Sequence, residues 1–319
     1  MARTRARSDL RVLLALAALL GAIPLVVRSG YFLGILNFIG LNAIAAMGLT
    51  LLMGYAGQVS LGQAAFFGLG AYVSGILTAT YGVNPWLAMV AACLFAGCVA
   101  FLIGAPIFRL SGLLLAMATL GFGIIVYYVL VNWTSLTGGP SGLTGIPPLA
   151  LGGFRLDRDA RFFYLVWGCV VLGLALAMNL AHSRVGRALR AIHGGELAAQ
   201  MAGVNTTRLK LQIFVVSALY TALAGSLYAH YLTFINPSPF GFGYSIELLV
   251  MVVLGGVTSL WGSLMGAAGV TALTELLRAI TPRLMGRTQA EYEIVLFGLL
   301  LMGFMIFLPK GLAGLGRGE

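Results

Sequence analysis

The chain has 319 residues, of which 60% are hydrophobic and 9% are charged, and its mean hydropathy is +0.99. Soluble domains carry about 25% charged residues, so this composition excludes an ordinary soluble domain and makes lipid the solvent for most of the chain. A backbone in lipid must satisfy its own hydrogen bonds, which leaves helices or closed barrels. The apolar runs of roughly 17–25 residues predict helices, because barrel strands alternate over about 10 residues.

Ten membrane spans are predicted after a basic segment at 1–11: 12–28, 31–53, 59–80, 85–107, 111–131, 162–181, 211–231, 244–262, 263–281 and 293–309. The first 28 residues have the pattern of a signal peptide, but no convincing cleavage site follows, which favours an uncleaved first span. The turns near 54–58 and Gly262 are very tight. A helix broken at membrane depth is the alternative there, with eight or nine spans in total.

The formal net charge of +10 comes from basic residues that lie mostly between the apolar runs. Such residues orient membrane spans, so the charge does not indicate nucleic-acid binding. With both termini inside, 12 of the 19 Lys and Arg residues lie inside, as the positive-inside rule requires. The sequence therefore predicts an all-α integral membrane protein, N-in/C-in, with loop 182–210 in the cytoplasm and loop 132–161 outside.

The cytoplasmic loop 182–210 is the most polar stretch between spans. Adjacent glycines at 194–195 are poor helix formers, so we expect two short helices, the second beginning at Glu196, where a carboxylate suits the helix dipole. Thr206 and Thr207 are the expected caps of the span that follows. The second short helix carries an apolar stripe beside small residues: Leu197, Met201 and Val204, with Ala198, Ala199 and Ala202.

Two interpretations of this loop are open. A basic loop can simply orient the chain, which accounts for Arg184, Arg187 and Arg190. Orientation does not account for the small-residue surface that begins at Glu196 and ends at Gly203. That surface favours docking of a protein partner from the aqueous phase.

Several blocks of the sequence resemble the permeases of branched-chain amino-acid ABC importers, in particular their LivM-type subunit. The longest block is GRALRAIHGGELAAQMAGVNTTRLKLQIFVVSALYTALAGSLYA. The others, in family order, are GLTLLMGYAGQVSLGQAAFFGLGAY, LSGLLLAMATLGFG, TGGPSGLTGIP, VMVVLGGVTSLWGSLMGA and LPKGLAGL. The general importer pattern Glu-Ala-Ala-x3-Gly is changed here by one inserted position, between Glu196 and Ala198.

The resemblance implies one permease domain over 1–319, similar to the type II ABC importers, in the bacterial inner membrane. It implies that loop 182–210 is the coupling-helix region that seats in an ATP-hydrolysing subunit. The implied partners are a second and distinct permease subunit, two ATP-binding subunits and a periplasmic substrate-binding protein. The expected ATPase-coupling residues are Gly186, Arg187, Arg190, Glu196, Ala198, Ala199 and Gly203.

A second candidate region is the Gly- and Gln-rich stretch 54–63. Polar groups in a membrane usually face protein or water, and broken helices border transport sites. The stretch is either part of the substrate pathway or contact between helices through small and polar residues. The expected pathway residues are Gly57, Gln58, Ser60, Gly62, Gln63 and Glu247.

The outer loop 132–161 is rich in turn-forming residues and is either a connector or a docking surface for an external protein. The expected docking residues are Thr137, Gly138, Gly139, Pro140, Ser141 and Gly142.

No phosphate-binding G-x-x-x-x-G-K-[ST] loop is present, since the only lysines are Lys210 and Lys310. The chain is therefore expected to be a transport subunit and not an enzyme, with no cofactor of its own and with ATP and Mg²⁺ on partner subunits. An importer of urea or short-chain amides is the nearest alternative. A secondary carrier and a membrane-embedded enzyme are further alternatives, for which the sequence offers few titratable groups and no catalytic set.

Overall fold

The computed structural model describes residues 29–110, 112–151, 154–156 and 158–285, together with 21, 23, 24, 298, 311 and 312. Apart from isolated positions, the predicted spans 12–28 and 293–309 and the basic segment 1–11 lie outside the described residues. The long helices are α1 (Gly30–Thr50), α2 (Gln63–Ala79), α3 (Pro85–Ile107), α4 (Leu113–Asn132), α6 (Asp159–His182), α9 (Thr206–Leu232), α10 (Phe242–Gly255) and α11 (Leu260–Met285). The short helices are α5 (Thr134–Thr137), α7 (Arg184–Gly194) and α8 (Glu196–Met201).

Six of the described helices are long and apolar enough to cross a membrane: Gly30–Tyr55, Pro85–Ile107, Leu113–Asn132, Asp159–His182, Thr206–Leu232 and Leu260–Leu277. The first of these includes a π-helical turn, Leu51–Tyr55, that continues α1. Two shorter apolar helices, α2 and α10, accompany them. The predicted helical, multi-pass membrane protein is therefore confirmed.

Helix α9 is the central helix of the described bundle and packs against α1, α2 and α3, while α1 also contacts α6 and α11. Small residues bring α9 and α2 into backbone contact. A Cβ on Gly70 would collide with the carbonyl oxygen of Ala222, and one on Gly225 would collide with that of Phe67. Such small-residue contacts are a common way for membrane helices to associate, because lipid supplies no hydrophobic drive between them.

Two predicted boundaries between spans lie elsewhere in the structure. The predicted span 59–80 begins helically only at Gln63, and residues 56–62, the break segment, are not helical. The predicted division between 244–262 and 263–281 lies instead at 256–259, since α10 ends at Gly255. The Gly255 and Gly262 backbones touch each other there, so two glycines pack α10 against α11, and the tight turn that the sequence predicted near Gly262 lies a few residues earlier.

The loops that connect the helices lie at two ends of the bundle, and their contacts show which loops share an end. At one end, the Arg190 guanidinium lies 5.8 Å from the centre of the Tyr55 ring, so the loop 183–205 meets the end of α1. At the opposite end, strand β1 (Leu143–Thr144) pairs antiparallel with β4 (Phe234–Ile235). A second short pair, β2 (Ala150–Leu151) with β3 (Phe154–Arg155), lies in the same loop as β1. Helix α9 runs from the loop 182–210 to β4, so loops 132–161 and 182–210 lie at opposite ends of the bundle.

Candidate functional site

The loop 182–210 folds as predicted into two short helices separated at Gly195. Helix α7 begins with a Ser183 cap, whose hydroxyl accepts a hydrogen bond from the Gly186 amide. A Cβ on Gly186 would collide with the carbonyl oxygen of Ala181. Gly186 is therefore required by the tight turn between α6 and α7, where any side chain would separate the two helices.

Two arginines of α7 brace it against the end of α6. Arg187 donates to the His182 carbonyl at 3.2 Å, and Arg190 donates to the Ala181 carbonyl at 3.0 Å. Cations at these carbonyls also oppose the negative end of the α6 dipole. Both residues thus join the loop to a membrane span, in addition to any role in orienting the chain.

Helix α8 is joined to α9 by an ion pair. The Lys210 Nζ atom lies 2.5 Å from the Glu196 carboxylate; the lysine side chain is 2% exposed and the glutamate 36%. A buried charge without a partner is costly, so Lys210 depends on Glu196. Gln200 of α8 adds a second brace by donating to the Thr206 hydroxyl at 3.0 Å.

The end of α8 is a glycine-terminated Schellman motif. The Gly203 amide donates to the Gln200 carbonyl and the Val204 amide to the Ala199 carbonyl, with Gly203 at φ +81°. A left-handed backbone of this kind favours glycine. The cap of α9 is Asn205, whose side chain accepts from the Arg208 amide. The expected caps Thr206 and Thr207 are therefore wrong, because the helix begins one residue earlier than they require.

The outer face of α8 is apolar and exposed. Leu197 is 73% exposed and Met201 88% exposed, and Ala198 beside them is also exposed, while Ala199 is buried against the bundle. Exposed large apolar side chains that lie together typically mark an interaction surface. We call the exposed side chains of 197, 198 and 201 the α8 face.

The break segment connects this loop to the interior of the bundle. Gly57, at φ +67°, packs directly against the ring of His193 in α7. The segment then runs inward, because Gln63 at its end meets Ser217, about 17 Å along α9 from its first residue at a 1.5 Å rise per residue. Non-helical backbone at this depth is tolerated where it is buried in protein or lines a cavity.

Polar side chains of other helices satisfy the backbone of this segment. The Thr119 hydroxyl of α4 accepts from the Leu61 amide at 3.1 Å, and the Ser245 hydroxyl of α10 accepts from the Ala64 amide at 3.0 Å. Gly62 is in close contact with the Thr119 carbonyl. The first turns of α2 and α10 therefore meet inside the bundle.

The expected pathway residues differ in their surroundings. Gln63 is fully buried; it donates to Ser217 at 3.1 Å and accepts from Thr221 at 2.9 Å, both on α9. This geometry favours the helix-contact alternative at that position. Ser60 is buried as well, and its hydroxyl accepts from the Gly62 amide at 3.4 Å.

The end of the break segment near α7, at Gly57 and Gln58, which we call its mouth, has accessible groups. Gly57 is exposed and Gln58 is half-buried, with the Gln58 amide donating to the Ala56 carbonyl at 2.9 Å. Glu247 is half-buried in the second turn of α10, whose first turn meets α2 at the inner end of the segment. Gln58 is thus the amide side chain of the segment that a passing solute could reach.

The expected docking segment 137–142 is a compact turn at the opposite end. The Thr137 hydroxyl is buried and donates to the Leu130 and Trp133 carbonyls. Gly142 is at φ +78° and packs against the Ile235 carbonyl; Gly138 and Gly139 also have positive φ. Thr137 and the glycines therefore shape the turn, and Pro140 and Ser141 are its exposed tip.

Residues 31–305 match the family described as branched-chain amino acid transport system, permease component. The chain belongs to this family. It is 34% identical to the high-affinity branched-chain amino acid transport system permease protein LivM of Escherichia coli K12, over 96% of this chain and 75% of LivM. LivH of the same strain is 27% identical over 85% of this chain and 91% of its own length. The ribose import permease protein RbsC of that strain is 29% identical over 72% and 69%. No solved structure matches the chain.

Membership in this permease family agrees with the resemblance found in the sequence. Sequence reasoning missed the residues that hold the site in place: Lys210, Thr119, Ser217, Thr221 and Ser245. A lysine inside the first turns of an apolar span was the one available signal, since a buried charge requires a partner. The hydroxyl residues gave no signal, because isolated Ser and Thr are ordinary in membrane helices.

Proposed function

We propose that this chain is one of two membrane-spanning subunits of an ATP-driven importer for branched-chain or related hydrophobic amino acids in the bacterial inner membrane. The family match over 31–305 is the observation that carries the proposal. Similarity to both LivM and LivH, which are named for the same kind of system, supports a second and paralogous permease subunit. In this proposal the chain has ten spans and both of its termini lie in the cytoplasm.

Coupling to ATP hydrolysis is assigned to the loop 182–210. Two ATP-binding subunits supply ATP and Mg²⁺, and one of them seats on the α8 face. Movement of that face reaches the spans through three attachments described above: Arg187 and Arg190 to α6, Gly57 to α7, and Glu196 to Lys210 of α9. A loop attached to three parts of the bundle can transmit a displacement that a free loop would absorb.

Delivery of substrate is assigned to the opposite end. A periplasmic binding protein docks there on loop 132–161, with Pro140 and Ser141 at its exposed tip. The solute passes Gln58 near the mouth of the break segment. Since the similar RbsC is named for ribose, the fold leaves the solute open, and urea or short-chain amides are the second candidate class.

Reconstitution of the complete complex in liposomes tests these assignments. We expect ATP supplied on the side of the membrane that carries the α8 face to drive transport of leucine, isoleucine or valine. The amino acid is presented with the binding protein on the opposite side. Uptake should continue after ionophores collapse ion gradients, and persistence of gradient-driven uptake without ATP would identify a secondary carrier. If urea or acetamide stimulates ATP hydrolysis and leucine does not, the substrate belongs to the second candidate class, urea and short-chain amides.

A further inference from the structure

A groove of about 980 Å³ lies between the end of α3 and the beginning of α9, at the same end of the bundle as the α8 face. Its volume is at the upper end of the range for small-molecule sites, about 300–1,000 Å³. Its polar rim carries Arg109, Asn205, Thr207 and Arg208. The α8 face and the break segment contribute none of its lining residues.

The two arginines give the rim its charge. Both side chains are exposed, and among the described residues the groove lining contains no Asp or Glu. The Asn205 cap fixes the start of α9, so the backbone of Arg208 is held at the same groove that Arg109 lines. Two guanidinium groups at one rim, with no carboxylate on the described lining of the groove, complement a phosphate, which arginine binds in bidentate fashion.

The remaining wall of the groove is mostly apolar, with Gln212 as its further polar residue, and it lies between two helices of membrane-spanning length. Phe101 is 54% exposed on α3, and Leu211, Val215 and Val216 line the groove from α9. Gly104 lets the helices approach, since a Cβ there would lie 2.6 Å from the Leu211 side chain. An apolar channel that ends in a basic rim at the membrane surface matches a lipid with one anionic headgroup and extended acyl chains.

We propose that this groove binds one anionic phospholipid, with its phosphate between Arg109 and Arg208 and an acyl chain along the wall formed by Phe101 and Val215. Orientation of the spans accounts for the presence of arginine at this end of the bundle. It does not account for two arginines at the head of one apolar groove with a shared polar rim. The inference rests on the membrane location of the chain and is independent of the solute that it carries.

Native mass spectrometry of the purified complex, titrated with phosphatidylglycerol or phosphatidylcholine, tests the proposal. We expect one phosphatidylglycerol to be retained more tightly than phosphatidylcholine. Because each basic residue near an anionic headgroup contributes about 1 kcal/mol, Arg109→Gln and Arg208→Gln should each weaken binding about 5-fold, and the double variant about 30-fold. Arg184→Gln, an exposed arginine outside the groove, is the matched control and should leave binding unchanged.

A second variant tests the acyl-chain part of the site without a change in charge. Ala105 lines the groove and is exposed, so Ala105→Trp should obstruct the wall while the bundle folds normally. It should weaken binding of both lipids. The proposal is overturned if the double arginine variant binds like wild type, if Arg184→Gln weakens binding equally, or if Ala105→Trp has no effect. It is also overturned if the assembled complex retains no lipid because another subunit covers the groove.

Discussion

Removing the Glu196 carboxylate is expected to release α8 from the first turns of α9. In Glu196→Ala the Lys210 ammonium, 2% exposed, loses the carboxylate 2.5 Å away. The lysine must then remain buried without a counter-ion or move toward solvent. Either outcome weakens the attachment of the α8 face to the membrane spans.

The magnitude follows from the burial of the two partners. Truncating one member of a buried ion pair costs about 3–5 kcal/mol, because the other charge is left uncompensated. Glu196 is 36% exposed, so water screens part of the interaction, and exposed pairs are worth about 0–1 kcal/mol. We therefore expect a loss of about 2 kcal/mol, between these two limits.

Hydrogen–deuterium exchange of the complex in nanodiscs measures this loss locally. The amides of Ala199, Ala202 and Val204 are bonded within α8 and its Schellman turn, and they exchange when the helix opens. A loss of about 2 kcal/mol corresponds to about 30-fold faster exchange. Gln200→Ala is the matched control, since it removes one neutral hydrogen bond worth about 0.5–1.5 kcal/mol.

The neutral double variant Glu196→Gln/Lys210→Met separates charge from packing. Removing both charges should restore slow exchange, because no buried ion remains unpaired. The reasoning is refuted if Glu196→Ala exchanges like wild type. It is equally refuted if α8 in the double variant exchanges as fast as in Glu196→Ala. That result would show that lost packing, and not an unpaired charge, causes the faster exchange.

Three further outcomes are expected. Gly225→Ala should destabilise the bundle by about 1–3 kcal/mol, measured by thermal unfolding, because its Cβ meets the Phe67 backbone. The control Gly168→Ala should be neutral or stabilising, because a Cβ there has no neighbour within 4 Å. Equal melting temperatures of the two variants would contradict this. Gln63→Leu should lower stability by about 1 kcal/mol, since two interhelical hydrogen bonds are lost, while Gln58→Leu should change the KM for uptake at unchanged stability. Ser141→Arg should weaken binding-protein affinity measured by surface plasmon resonance without a change in basal ATP hydrolysis, and unaltered affinity would remove this tip from the docking surface.

Much of the architecture follows from local sequence. Apolar runs of membrane length predict the spans, since a chain in lipid must bond its own backbone. The two glycines at 194–195 separate α7 from α8, and the small, apolar pattern after Glu196 predicts the α8 face. These features depend on residues that are close in the sequence, so composition and helical spacing were sufficient to find them.

The tertiary structure decided which distant groups meet. It paired Lys210 with Glu196, and it gave Gln63 two partners on α9 where the sequence left pathway and helix contact equally open. It also set the non-helical backbone at 56–62, beyond the turn predicted at 54–58, and Thr119 and Ser245 accept the backbone amides of Leu61 and Ala64 there. A buried polar group is acceptable only when its partner is present, and these partners lie 14 to 181 positions away in the chain. Sequence therefore determined the helical membrane class and the polar loop, and long-range polar pairing determined how that loop is attached to the bundle.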